Sequence, residues 1–230
     1  MTKKCVYTSF VCLTLILAAP PKHSSAQPAA SSVRPAETLQ TRVTQFVALR
    51  YHHGIPYEQA RSLGPGALPT LKRLLADENY KSSWTNIVTT IAFIGDPSGF
   101  AILRSFVWDR FKGEVDLPTF QALLGTQSGM GAVKGPDALD YLVSGTDPAF
   151  WKDIPWTFEH DRGPKLQILL SKVSINGLSI TGSPRAGVVL EKLKRSPLSE
   201  RQIPNIDEGL SRHKEIVEHG QLDYLRSHNR

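Results

Sequence analysis

Ile94-Gly95-Asp96-Pro97-Ser98-Gly99-Phe100 is the stretch on which the fold turns. Before it, Trp84, Ile87, Val88, Ile91 and Ile94 recur at three- and four-residue steps, and after it Phe100, Ile102, Leu103, Phe106 and Val107 do likewise. That spacing puts each set on one side of a helix. Glycine and proline interrupt the helix between them, Ser82 or Ser83 can cap the first segment, and Ser98 can cap the second. A connection this short makes the two helices antiparallel, with their apolar stripes turned toward each other.

The same punctuation returns at Gly64-Pro65-Gly66, Gly135-Pro136-Asp137 and Gly182-Ser183-Pro184. Glycines 64, 95, 135 and 182 are spaced by 31, 40 and 47 residues. Gly/Pro turns recurring every few tens of residues between apolar helical segments indicate stacked helical repeats. The register agrees. Leu68, Leu71, Leu74 and Leu75 align with Phe100, Leu103, Phe106 and Val107 at an offset of 32, Tyr141 and Leu142 with Ile102 and Leu103 at 39, and Gly187, Val189, Leu190 and Leu193 with Phe100, Ile102, Leu103 and Phe106 at 87.

Outward from these turns, periodicity predicts helices from Thr38 to about Gly54, Tyr57 to Leu63 and Ala67 to Asp77. Pro118 opens another, with Phe120, Leu123 and Leu124. It runs into Gly125, Gly129 and Gly131, where close helix packing and an interruption are both open. Asp137 can cap Ala138 to Val143, Lys165 to Ile180 forms a third pair with the helix after Pro184, and Asp207 can cap a final polar helix reaching His228. No strand-like alternation of useful length occurs. The expectation is an all-α fold.

The segments Gly64-Pro65-Gly66-Ala67-Leu68-Pro69 and Ile94-Gly95-Asp96-Pro97 resemble the inter-helix turns of the HEAT-repeat family, over about residues 64–195. The resemblance implies an α-solenoid of about four antiparallel helical pairs, closed by the C-terminal helix as a cap. It also implies a protein-binding role. The later units depart from the pattern in length and in the glycines at 125–131.

The domain so read spans 38–230. Lys3 and Lys4, an apolar run of about 15 residues from Cys5 to Ala19, and Ser24-Ser25-Ala26 together read as a secretion signal over 1–26, cleaved after Ala26 or, alternatively, Ala30. The run is shorter than the ~20 residues that span a bilayer, although an uncleaved anchor is the other reading. Residues 27–37 read as a flexible linker. Cys5 and Cys12 both fall in the leader, so the mature chain has no disulfide, thiol nucleophile or thiolate metal site. Ser9-Phe10-Val11 before Cys12 does not suit lipidation. The formal charge of +6 drops to about +3 when Lys3, Lys4 and Lys22 leave, too little to argue for nucleic acid. The place expected is the periplasm or the medium outside the cell.

Catalytic patterns are absent: no phosphate loop, no Gly-x-Ser-x-Gly and no His-Glu-x-x-His. His52-His53 reads as a helix end complementing the dipole. Glu159-His160-Asp161 sets acid and base types side by side, but neighbouring side chains rarely converge on one atom. Glu215 and His219, four apart, could hold an ion with Asp223 and His160, giving a metal-binding or hydrolytic enzyme as one alternative. A structural envelope component without a specific client is another. No catalytic residue, metal ligand or cofactor is assigned.

The segment from Phe150 to Arg162 carries two of the four tryptophans and lengthens the last unit. Insertions in repeat arrays gather on one face, often the binding face. Aromatic residues with arginine are typical interface anchors. Trp108, Trp151, Trp156, Phe158 and Arg162 are therefore the expected contacts of a noncatalytic scaffold with a protein partner in the envelope or outside the cell. The alternative is that Trp151 and Trp156 fold back to plug a gap between uneven units. Trp84 stands at a core position.

Overall fold

The computed structural model describes residues 37–52, 54–159, 162–196 and 203–228, with the side chains of Ile203 and Pro204 left aside. The expected leader and all but the last residue of the linker, together with His53, His160 and Asp161, lie outside the described residues.

Among the described residues eleven α-helices carry the fold: α1 Leu39–Ala48, α2 Tyr57–Ser62, α3 Leu68–Ala76, α4 Trp84–Ile94, α5 Ser98–Trp108, α6 Leu117–Gly129, α7 Pro136–Gly145, α8 Pro164–Ile180, α9 Pro184–Lys194, α10 Ile203–His219 and α11 Gln221–His228. The fold is all-α apart from one two-residue ladder. Proline sits in the first turn of α3, α6, α7, α8 and α9, where its missing N–H has no helical partner to lose. α4 stops at Gly95, whose left-handed backbone (φ 70°) no branched residue adopts cheaply. Across that turn, the Asp96 carboxylate accepts from the Ser98 backbone N–H at 2.9 Å, so Asp96 rather than Ser98 satisfies the start of α5.

One row of helices packs in the order α2, α4, α6, α8, α10, each against the next but one in sequence. α5 and α9 each pack on both of their neighbours in sequence, α3 packs on α1 and α4, and α7 packs on α8, with α3 also touching α5 and α7 touching α9. In these four helices one environment recurs. Pro65, Pro97, Pro136 and Pro184 are exposed; Ala67, Gly99, Ala138 and Ala186 are buried two residues on; Leu71, Leu103, Leu142 and Leu190 are all completely buried six residues on. The small residue lets the helix start close to its neighbour, and the leucine fills the space one turn later.

The glycines of α6 resolve toward close packing. A Cβ on Gly129 would sit 3.1 Å from the Ala92 methyl of α4, and one on Gly131 would sit 2.0 Å from the Gly177 carbonyl oxygen of α8. Glycine thus brings α6 and the turn after it against two helices at once. Buried polar groups between α6 and α8 partner each other: Gln127 Nε2 donates to Ser174 Oγ at 2.9 Å, and Ser174 Oγ donates to the Leu170 carbonyl at 2.8 Å.

Three expectations change in detail. α1 ends at Ala48, capped by the Leu49 N–H, so His52 lies beyond the helix rather than at its end. Asp137 lies inside α7, which begins after Gly135 (φ 115°). The last helix is two: Gly220, at φ 93°, separates α10 from α11, and Asp207 lies within α10, paired with Lys194 at 2.8 Å instead of capping it.

The ladder joins β1 Gly113–Glu114, after α5, to β2 Trp156–Thr157, before α8, in parallel. Gly113 N–H donates to the Pro155 carbonyl and Val115 N–H to the Thr157 carbonyl, both at 2.9 Å. Two connections from different units are thereby laced together. Its brevity explains why no alternation announces it in sequence.

Candidate functional site

The five expected contact residues separate into buried and accessible sets. Trp151 and Trp156 have no accessible surface, and Phe158 is buried. Trp156 Nε1 donates to the Val107 carbonyl at 2.8 Å, and Phe158 stacks on Phe120 with ring centres 4.0 Å apart. Trp151 Nε1 donates to the Gly145 carbonyl at 2.8 Å, and a Cβ on Gly145 would come within 3.0 Å of its ring. The two tryptophans fold inward and Phe158 packs beside them, so none of the three offers more than a small edge in this conformation. An indole buried with its N–H satisfied gains both apolar burial and a hydrogen bond, which outweighs exposure in a loop.

Arg162 is exposed, with its guanidinium 2.8 Å from Glu114 across the ladder. Trp108 is half-buried at the end of α5. Its indole stacks on Trp151 (5.6 Å between centres, 12° between planes), meets Phe150 edge-on at 5.6 Å, and donates from Nε1 to the Tyr141 hydroxyl at 2.9 Å. Phe100 meets Tyr141 at 5.7 Å, and Tyr141 meets Phe150 at 5.5 Å. Phe100, Trp108 and Phe150 are all half-buried, so their rims form an aromatic seam across α5, α7 and the turn before β2. Burial pushes the Tyr141 phenol well above its ordinary range, against the lowering effects of the Trp108 N–H and the nearby Arg104 charge, so it stays neutral. The seam is rigid because rings support rings. Phe100 and Phe150 are its members that sequence reading missed, and Phe150 was in view as the first residue of the aromatic insertion.

A second aromatic group is structural. The Arg110 guanidinium lies 4.4 Å from the centre of the fully buried Trp84 ring and donates to the Leu75 carbonyl and to Glu78, the latter at 2.8 Å. A planar cation on an indole face, donating from both terminal nitrogens, fastens the end of α5 to α3 and α4. Nothing in the sequence but the aromatic company of Arg110 hints at it.

Glu215 and His219 are exposed on α10; Asp223 sits beyond the Gly220 break, 3.2 Å from Arg226. His213 is buried instead, its ring against Gly187, where a Cβ would fall 2.8 Å from Nε2. Among the described residues no three His, Cys, Asp or Glu side chains are grouped so as to hold a metal ion. No helix among them is long and apolar enough to cross a membrane.

Comparison with protein-family models, curated proteins and solved structures returns no match for this chain. The reading of function rests on the residues alone.

Proposed function

We propose that the mature chain is an exported, noncatalytic scaffold of stacked HEAT-like helical pairs that holds a protein partner in the cell envelope or outside the cell. The observation that supports this reading best is the fourfold recurrence of an exposed proline, a buried small residue and a fully buried leucine at the starts of α3, α5, α7 and α9. Each unit is too small to bury its own apolar side, and stacking supplies the rest. The helix row α2, α4, α6, α8, α10 supports an α-solenoid in the same way.

The partner is received at the aromatic seam, with Trp108 as the anchor carried over from the expected contact set and Phe100 and Phe150 beside it. Half-exposed aromatic rings held rigid by their neighbours contribute large contact area at little entropic cost. Trp151, packed on Trp108, Tyr141 and Phe150, supports that surface from beneath. Export through the leader at 1–26 completes the proposal.

The test is affinity capture from native envelope and medium with the full chain against Trp108→Ser and Phe150→Ser variants, each verified as folded by circular dichroism. A partner enriched by the full chain and lost from both variants is the expected result. Enrichment unchanged by either substitution would sink the seam as the docking surface.

A further inference from the structure

We propose that α11 is a displaceable clasp that couples the C-terminal end of the chain to α2. α11 reaches back over the array: Arg226 Nε lies 2.6 Å from Glu58 Oε1 in α2, 168 residues away in sequence. At its other end the Gln221 amide donates to two backbone carbonyls from different units, Gly131 at 2.9 Å and Ile180 at 2.8 Å. Those carbonyls belong to the turn after α6 and to the last residue of α8, where helix ends leave acceptors without intrahelical partners. Between these attachments only Leu225 is fully buried. The clasp is thus held by buried Leu225, by Tyr224 partly buried against the core, and by polar contacts toward each end.

Its attachment suits release. An eight-residue helix does not hold its shape alone in water. Gly220, at φ 93°, joins it to α10, so a rotation about one residue that tolerates either hand frees it without unwinding α10. The Arg226–Glu58 pair is half-exposed on both sides and hence weak and screened by salt. Arg226 also bonds Asp223 at 3.2 Å, which orients the guanidinium from within α11. Segments with few buried apolar contacts and exposed polar ones open first in native proteins. Leu222, already exposed beside Leu225, would then share a free apolar edge with it.

Hydrogen exchange on the full chain, read by mass spectrometry, tests this. The amides of α2 and α11 should exchange together, faster than those of α6 and α8, and faster still as salt rises. Arg226→Glu should raise exchange in both segments by up to about fivefold at low salt. The swap Glu58→Arg with Arg226→Glu should restore it. Gln221→Ala should raise exchange in α11 and α2 without touching α4. The proposal is overturned if α11 is as protected as α8, or if Arg226→Glu loosens α11 while α2 is unchanged.

Discussion

Gly131 and Gly177 touch backbone to backbone: a methyl group on the first would stand 2.0 Å from the carbonyl oxygen of the second. On the other side of that contact, a Cβ on Gly177 would meet Leu142 Cδ2 at 2.8 Å and the Gln127 carbonyl at 2.9 Å. This is the point where α6, α7 and α8 come closest, and it has no room for a side chain.

Glycine-to-alanine substitutions should accordingly change sign along α6 and α8. Gly131→Ala and Gly177→Ala should each destabilise the fold by about 2–3 kcal/mol through forced separation of backbones. A methyl group on Gly125 would sit 3.7 Å from Val88 Cγ2, an ordinary contact. Gly125→Ala should therefore stabilise by up to about 1 kcal/mol through helix propensity. Chemical denaturation of the three variants checks both signs.

The tryptophans should divide by role. Trp156→Ala removes a fully buried indole and orphans the Val107 carbonyl, and should cost about 3–5 kcal/mol. Trp108→Ala removes a half-buried ring and should cost about half as much, leaving a cooperative unfolding transition. Equal losses for the two would deny Trp108 its partial exposure.

Acid should weaken the protein through His213. Burial lowers its pKa, so the folded state prefers the neutral ring. The unfolded chain then takes up a proton more readily, and stability present above about pH 6.5 is lost as pH falls toward the depressed folded value. Urea midpoints measured from pH 7 to pH 5 should fall more steeply for the natural chain than for His213→Gln.

The leucine series offers a further check. Leu71→Ala, Leu103→Ala, Leu142→Ala and Leu190→Ala each empty an equivalent, completely buried position. Each should lose about 2–5 kcal/mol by denaturation. A position that loses less than about 1 kcal/mol would fall outside the common register.

Much of the helical framework was legible. Leu68, Leu71, Leu74 and Leu75 announce a stripe, and all four are buried; Gly95 and Gly182 announce turns and adopt positive φ. Local rules sufficed there because periodicity and backbone sterics act within a few residues. The fate of Trp151 and Trp156 was not legible in the same way. Whether an aromatic insertion covers a gap or projects from it depends on the gap, and the gap is made in part by Val107 of α5 and Phe120 of α6, tens of residues from Trp156. Gly220 was overlooked for a simpler reason. Apolar spacing continues on both sides of it, at Ile216 and Leu225, and a count of apolar positions does not register a change in axis. Phe150 meets Trp108 directly and Phe100 reaches it through Tyr141, relations between distant stretches that no single stretch encodes.

The ladder between Gly113–Glu114 and Trp156–Thr157 has a consequence for how this chain can change. Connections between helices are ordinarily where a protein accepts additions and deletions. Here the long connection before α8 is stitched to the one after α5, so altering the length of either pulls on the other's register and on the indole of Trp156. Tolerance for new sequence shifts to the tight proline turns on the opposite side, such as Gly64-Pro65, where no side chain or backbone presses on Gly64. A tag or graft placed there should leave the fold intact.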